Sequence, residues 1–133
     1  MANTTFSGPV RSENGFEQVT KNATTGAFTT SATYNAAITG GVESHSGAGA
    51  LNITDLITEV TTTGADALTL ANGSSGQVKI ITMIVDGGDG TLTPVTFANG
   101  TTNTFDAVAE SATLVWNSTI GWVATSVQGA TIA

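Results

Sequence analysis

Few residues in this sequence could do chemistry, and the densest group is DGGDG, Asp86 to Gly90. A calcium loop is one reading, because aspartates are hard oxygen donors. Calcium takes about six to eight oxygens, often from several carboxylates, and the spacing of an EF-hand with its distal bidentate glutamate is missing. A phosphate cradle is a second reading, but no helix pattern and no lysine follow the glycines. A tight turn accounts for every residue, since glycine takes positive φ and aspartate caps turn amides. Asp86 and Asp89 are therefore read as turn residues, with a calcium site shared between subunits as the weaker candidate.

The other chemistry-bearing groups are sparser. The single histidine, His45, lies in GVESHSGAG beside Glu43, Ser44 and Ser46. No G-x-S-x-G nucleophile turn accompanies it, so it reads as an exposed loop residue. Asp106 and Glu110, beside Phe105, could in principle flank a glycosidic bond. Sugar clefts need exposed aromatic faces, however, and most of the few aromatic residues here are needed for packing. Trp116 and Trp122 could stack on a sugar, but tryptophans flanking a hairpin more often fill a core or an interface. The sequence thus predicts no enzyme, no catalytic residue and no cofactor.

Composition narrows the partners. The chain has 133 residues, enough for one core, with a formal net charge of −7 and only Arg11, Lys21 and Lys79 as cations. So few cations disfavour nucleic acid, whose binding rests on phosphate neutralisation, and an anionic membrane surface. There is no cysteine, which excludes disulfides and thiolate metal sites. No apolar run is long enough to span a membrane. The start, MANTTFSGPV, shows no secretory signal pattern, so synthesis in a cytoplasm is expected.

The elements that must position these residues read as all-β. Threonine is the commonest residue, glycine is frequent and good helix formers are scarce apart from alanine. Residues 1–50 read as an N-terminal arm and a Gly/Ser-rich connector, and residues 51–133 as a β-sandwich or jelly-roll-like domain. The arm, 1 to about 35, is either extended with one or two short strands or a pair of edge strands on the same domain. In the domain, ITEVTTT, ALTLA, QVKIITMIV, TLTPVTF, ATLVWN and GWVATSV read as strands between glycine-rich turns. Pro94 suggests an edge strand or a bulge. In QVKIITMIV one face carries Val78, Ile80, Thr82 and Ile84, and the other Lys79, Ile81, Met83 and Val85. Both are largely apolar, as in a strand covered on two sides. Ile81, Met83, Val85, Trp116 and Trp122 are therefore candidates for the core or a subunit interface. No internal period rises above the Thr/Gly background, which argues against a solenoid.

The beginning, FSGPVRSENGF to KNATTGAF, resembles the start of virion proteins of tailed bacteriophages, especially phages of marine bacteria. The later part resembles a β-rich module of phage head-decoration and tail-fibre proteins. It does so at Gly76-Gln77, Lys79, Asp86 to Asp89, Thr93-Pro94, Phe105-Asp106, Ser111 to Leu114 and Trp122-Val123. It departs at Ala109-Glu110, where that pattern has Gly-Asp. The resemblance implies a capsid decoration (cement) protein on the outer surface of the virion capsid. Such a protein clamps neighbouring major capsid subunits, often as a homotrimer at three-fold and quasi-three-fold positions. On this reading Phe6, Val10, Arg11, Phe16 and Phe28 of the arm make the capsid contacts. The competing reading is a tail-fibre or tail-tip module that recognises a host glycan through Trp122 or Phe105.

Overall fold

The structure is a computed structural model that describes residues 16–34 and 40–133. It divides into two compact units, Met1–Thr39 and Gly40–Ala133. Phe6, Val10 and Arg11 lie outside the described residues. The described part of the first unit is an antiparallel hairpin of β1 (Phe16–Lys21) and β2 (Phe28–Tyr34), with Phe16 opposite Tyr34 and Lys21 opposite Phe28. Asn22 closes its turn by accepting the N–H groups of Thr24 and Thr25 on its side-chain oxygen, and Gly26 supplies a φ of 73°.

The second unit holds β3 (Val42–Ser46), β4 (Gly49–Ala50), β5 (Ile57–Thr61), β6 (Asp66–Leu70), β7 (Val78–Val85), β8 (Gly90–Pro94), β9 (Asn103–Phe105), β10 (Ser111–Asn117), β11 (Gly121–Gln128) and β12 (Thr131–Ile132). They form two mixed five-stranded sheets, ordered β11-β10-β7-β5-β3 and β12-β9-β8-β6-β4. The chain is all-β and the sheets make a sandwich, as expected. Residues 40–50 belong to it: β3 pairs with β5 and β4 with β6, so the stretch read as a connector is structured. Its small residues are those a two-residue strand and a tight turn require.

From β3 to β8 the chain alternates between the two sheets. β3, β5 and β7 run parallel in one, and β4, β6 and β8 run parallel in the other. This is a three-rung winding, and β9 to β12 then complete both sheets with antiparallel pairs. The sequence argued against such a solenoid-like path. The rungs are unequal, with Val42 beside Ile57 and Ile57 beside Ile80, so no fixed period marks them. Jelly rolls, by contrast, are built from antiparallel strands.

Alternating side chains fill the space between the sheets. Val60, Ile81, Met83, Ala112, Leu114, Trp116 and Trp122 come from the first sheet, and Leu68, Leu70, Leu92 and Phe105 from the second. Pro94 sits in a central strand, not at an edge. It is tolerated as the last residue of β8, where pairing with β9 has already ended at Leu92. The strand ends define two edges of the sandwich. At one lie the short turns 62–65, 86–89 and 106–110. At the other lie the longer connections 51–56, 71–77 and 95–102.

Candidate functional site

The polar residues of the long-loop edge converge on Lys79. β7 alternates, so Lys79 points inward in phase with Ile81 and Met83, and it is fully buried. Its Nζ donates to the carbonyl of Asn52 at 2.5 Å and to that of Asp55 at 2.9 Å. Glu43, inward-facing on β3, brings Oε2 to 3.8 Å from the ammonium. The Glu43 carboxylate also accepts the Asn52 N–H on both oxygens at 2.9 Å and the Thr58 hydroxyl at 2.7 Å. Burial alone would raise the pKa of Glu43. The Thr58 and Asn52 hydrogen bonds and the charge of Lys79 outweigh it and hold the carboxyl below its ordinary value. Burial lowers the pKa of Lys79, and Glu43 and Asp55 offset this only in part.

His45 is inward-facing on the same strand, with Nδ1 3.4 Å from Glu43 Oε1. It was expected to be exposed in a loop. Pairing of β3 with β5 makes 42–46 a strand and turns alternate residues inward. The sequence signal that was missed is this alternation in VESHS, together with the in-phase position of Lys79. The cluster anchors the loop 51–56 across the first and third rungs. Apart from His45 Nε2, which is buried without a hydrogen-bond partner, its acceptors and donors are engaged with one another, which suits a structural clamp.

At the short-turn edge, DGGDG is the turn between β7 and β8. Asp86 Oδ1 accepts the Gly88 N–H at 2.9 Å, and the Gly87 N–H donates to Thr62 Oγ1 at 2.9 Å. Asp66 N–H donates to the Asp89 carbonyl at 2.8 Å, tying the turn to the rung before it. A Cβ on Gly87 would stand 2.4 Å from the Thr62 carbonyl oxygen, and Gly88 has a φ of 141° against Gly64. Close rung-to-rung stacking thus explains these glycines. Among the described residues, no three or more of His, Cys, Asp and Glu are grouped to hold a metal ion. Glu110 accepts the Asp106 N–H at 2.7 Å and so closes the turn 106–110. Ala109 in that turn has a φ of 72°, the conformation a glycine would take.

The two tryptophans meet edge to face, with centroids 5.4 Å apart. Both are buried, and Trp122 Nε1 donates to the Ala71 carbonyl at 2.9 Å. Phe105 is fully buried as well, so neither Trp122 nor Phe105 presents a face to a sugar. Ile81 and Met83 also belong to the core, whereas Val85 is 48% exposed beyond the covered part of β7.

The outer faces of the sheets differ. That of the second carries Ala50, Ala67, Thr69, Thr91, Thr93, Thr104 and Thr131, as the alternation of β4, β6, β8, β9 and β12 dictates. That of the first carries two apolar rows near the long-loop edge. One is Val78, Val115 and Val123, and the other runs Val42, Ile57, Ile80, Thr113 and Ser126. Among the described residues, Glu59 is the one charge on the outer face of the first sheet's strands. No protein-family model matches this chain, and no curated protein matches it as a relative.

Proposed function

We propose that this protein is a structural component of a tailed-phage virion. It decorates and cements the capsid by clamping neighbouring major capsid subunits, as a homotrimer on the outer capsid surface. The observation that carries this reading is the use made of the polar groups. Glu43, Lys79, Asp86 and Glu110 act as ties between rungs and turns, while both broad outer faces are nearly uncharged. Such a body offers surfaces for packing. Bound partners that recognise only the folded shell stabilise it by mass action.

In this reading the arm residues Phe6, Val10, Arg11, Phe16 and Phe28 reach the shell. Arg11 and Lys21 are two of the three cations of the chain, which eases approach to an acidic surface. The glycan-binding alternative is weakened because Trp122 and Phe105 are in the core. Gold-labelled antibody against this chain, applied to intact source particles and viewed by electron microscopy, tests the proposal. Label spread evenly over heads is the expected result, and label confined to tails would overturn it. A chain lacking residues 1–35 is expected to lose binding to capsids, measured by co-sedimentation. Normal binding would remove the arm from the mechanism.

A further inference from the structure

We infer that β12 is a latch on the edge of the second sheet that opens by itself while the rest of the sandwich stays folded, and that Asn103 is the residue that poises it.

Asn103 faces inward on β9, two residues from Phe105, and is fully buried. Its register neighbours are Leu92 on β8 and Ile132 on β12, both apolar. Neither Nδ2 nor Oδ1 has a hydrogen-bond partner. Among the described residues it is the one side chain with all its polar atoms buried and unpartnered. An amide in that state has given up water for nothing, so closing the fold over it is unfavourable. Leucine, close to it in shape, would carry no such cost. Asn103 returns to water most easily where its cover is thinnest.

That cover is β12. It has two residues, Thr131 and Ile132, opposite Thr104 and Asn103. Thr131 and Ala133 are exposed, and Ile132 is half-buried. The Ala133 carbonyl accepts the N–H groups of Thr101 at 2.6 Å and Thr102 at 3.0 Å, and the Thr101 hydroxyl at 2.9 Å. The Ala133 N–H donates to the Thr102 carbonyl at 3.1 Å. These bonds join exposed or half-buried residues, where water replaces them at small net loss. On the chain side, the β11 ladder ends at Gln128, and Gly129 follows with a φ of 78°, which sets a hinge between latch and first sheet. β9 itself is held independently, by its pairing with β8 and by Phe105 in the core. Opening of β12 therefore returns Asn103 to water without unfolding β9. The regained hydration offsets the lost burial of Ile132, so the open state lies nearer the closed one than strand pairing alone would place it. Once open, the latch leaves the outer edge of β9 unpaired.

Hydrogen exchange by NMR on the purified full-length chain tests this. The Thr102 and Ala133 amides report on the latch. The Trp116 amide, which donates to the Gln77 carbonyl at 2.8 Å, reports on the sandwich. In the wild type the latch amides are expected to exchange roughly a hundredfold faster than Trp116, in the regime where rate follows the opening equilibrium. Asn103→Leu is expected to slow all three by about tenfold or more, because residue 103 is solvated in the opened latch as it is in the unfolded chain. Slowing at Trp116 alone would mean that opening β12 does not reach Asn103. No slowing at any of them would mean that Asn103 is satisfied where it lies, by a bound water. Equal wild-type rates would mean that β12 does not open by itself. Any of the three overturns the inference. A second readout covers the case in which Asn103→Leu does not fold. The chain has no cysteine, so Asn103→Cys and Leu92→Cys place single thiols at neighbouring inward positions. Asn103→Cys is expected to react with a disulfide reagent at least about tenfold faster than Leu92→Cys, and equal rates would overturn the latch.

Discussion

The two edges of the sandwich are held by different means. At the short-turn edge close backbone contacts and the turns' own short side-chain caps carry the structure. Gly87 and Gly88 let one rung lie on the next, and main-chain groups of Thr62, Val85, Asp66 and Asp89 bond across it. At the long-loop edge side chains reach inward instead. Lys79 gathers the carbonyls of 51–56, Gln77 Nε2 donates to the Ile53 carbonyl, and Trp122 donates to Ala71. Asn99 accepts the Ala124 N–H there too. Short turns can satisfy their own amides, whereas longer loops need a side chain to fix them. Substitutions should therefore act through side-chain loss at one edge and through φ and close approach at the other.

The largest expected effect is at the long-loop edge. Trp122→Ala removes the biggest buried side chain and strands the Ala71 carbonyl, at a cost of about 3–5 kcal/mol. Urea titration measures it, and a loss under 1 kcal/mol would mean that this edge does not depend on its side chains.

Lys79→Met comes next, at about 3 kcal/mol, because Glu43 and two carbonyls lose their cation. The same site sets a pH response. The folded pKa of Glu43 is lowered, so its contribution is complete above the ordinary carboxylate pKa and is lost as pH falls through the lowered value. Thermal melts from neutral pH into that acid range should show a decline that is smaller in Glu43→Gln. Identical declines would remove Glu43 from the clamp.

The short-turn edge is tested by Gly88→Ala. A Cβ there meets the Gly64 carbonyl carbon at 2.6 Å and forces a φ of 141° on alanine, for about 2 kcal/mol. Gly76→Ala is the matched control for positive φ, since at Gly76 nothing lies within 4 Å of the added Cβ and φ is 79°. Equal losses at the two positions would show that close rung approach adds nothing to strain. The smallest effect has the opposite sign. Ala109→Gly relieves a left-handed residue and is expected to stabilise by about 0.5–1 kcal/mol, read as a raised melting temperature.

The same contrast decides what could be read from sequence. The turns GAD, DGGDG and the region of Ala109 announce themselves by glycine, aspartate and a departure from Gly-Asp, and the strands between them fall where alternation places them. The long-loop edge was harder. Nothing local in LNITDL shows that its carbonyls will face Lys79 from two strands later in the chain. Parallel pairing was hidden for the same reason, since adjacent runs separated by glycine also suit hairpins. The short apolar content of VESHSGAGA concealed β3 and β4, and with them the inward positions of Glu43 and His45. Trp116 and Trp122 were legible as packing residues because their size leaves few other uses.

One consequence follows from β3 being the last strand of its sheet. Among the described residues its outer backbone groups have no neighbour in the ladder, and such an edge can template another chain. Inward-pointing charge on an edge strand is a known defence against that templating, and Glu43 occupies that position. A strand added to β3 would have to continue an interior row that ends in a carboxylate, while β4, at two residues, is too short to offer much of a second template. By that rule Glu43 would oppose strand addition at β3 as well as hold its first loop. Acid that neutralises this residue would loosen both, and aggregation would begin at the first rung.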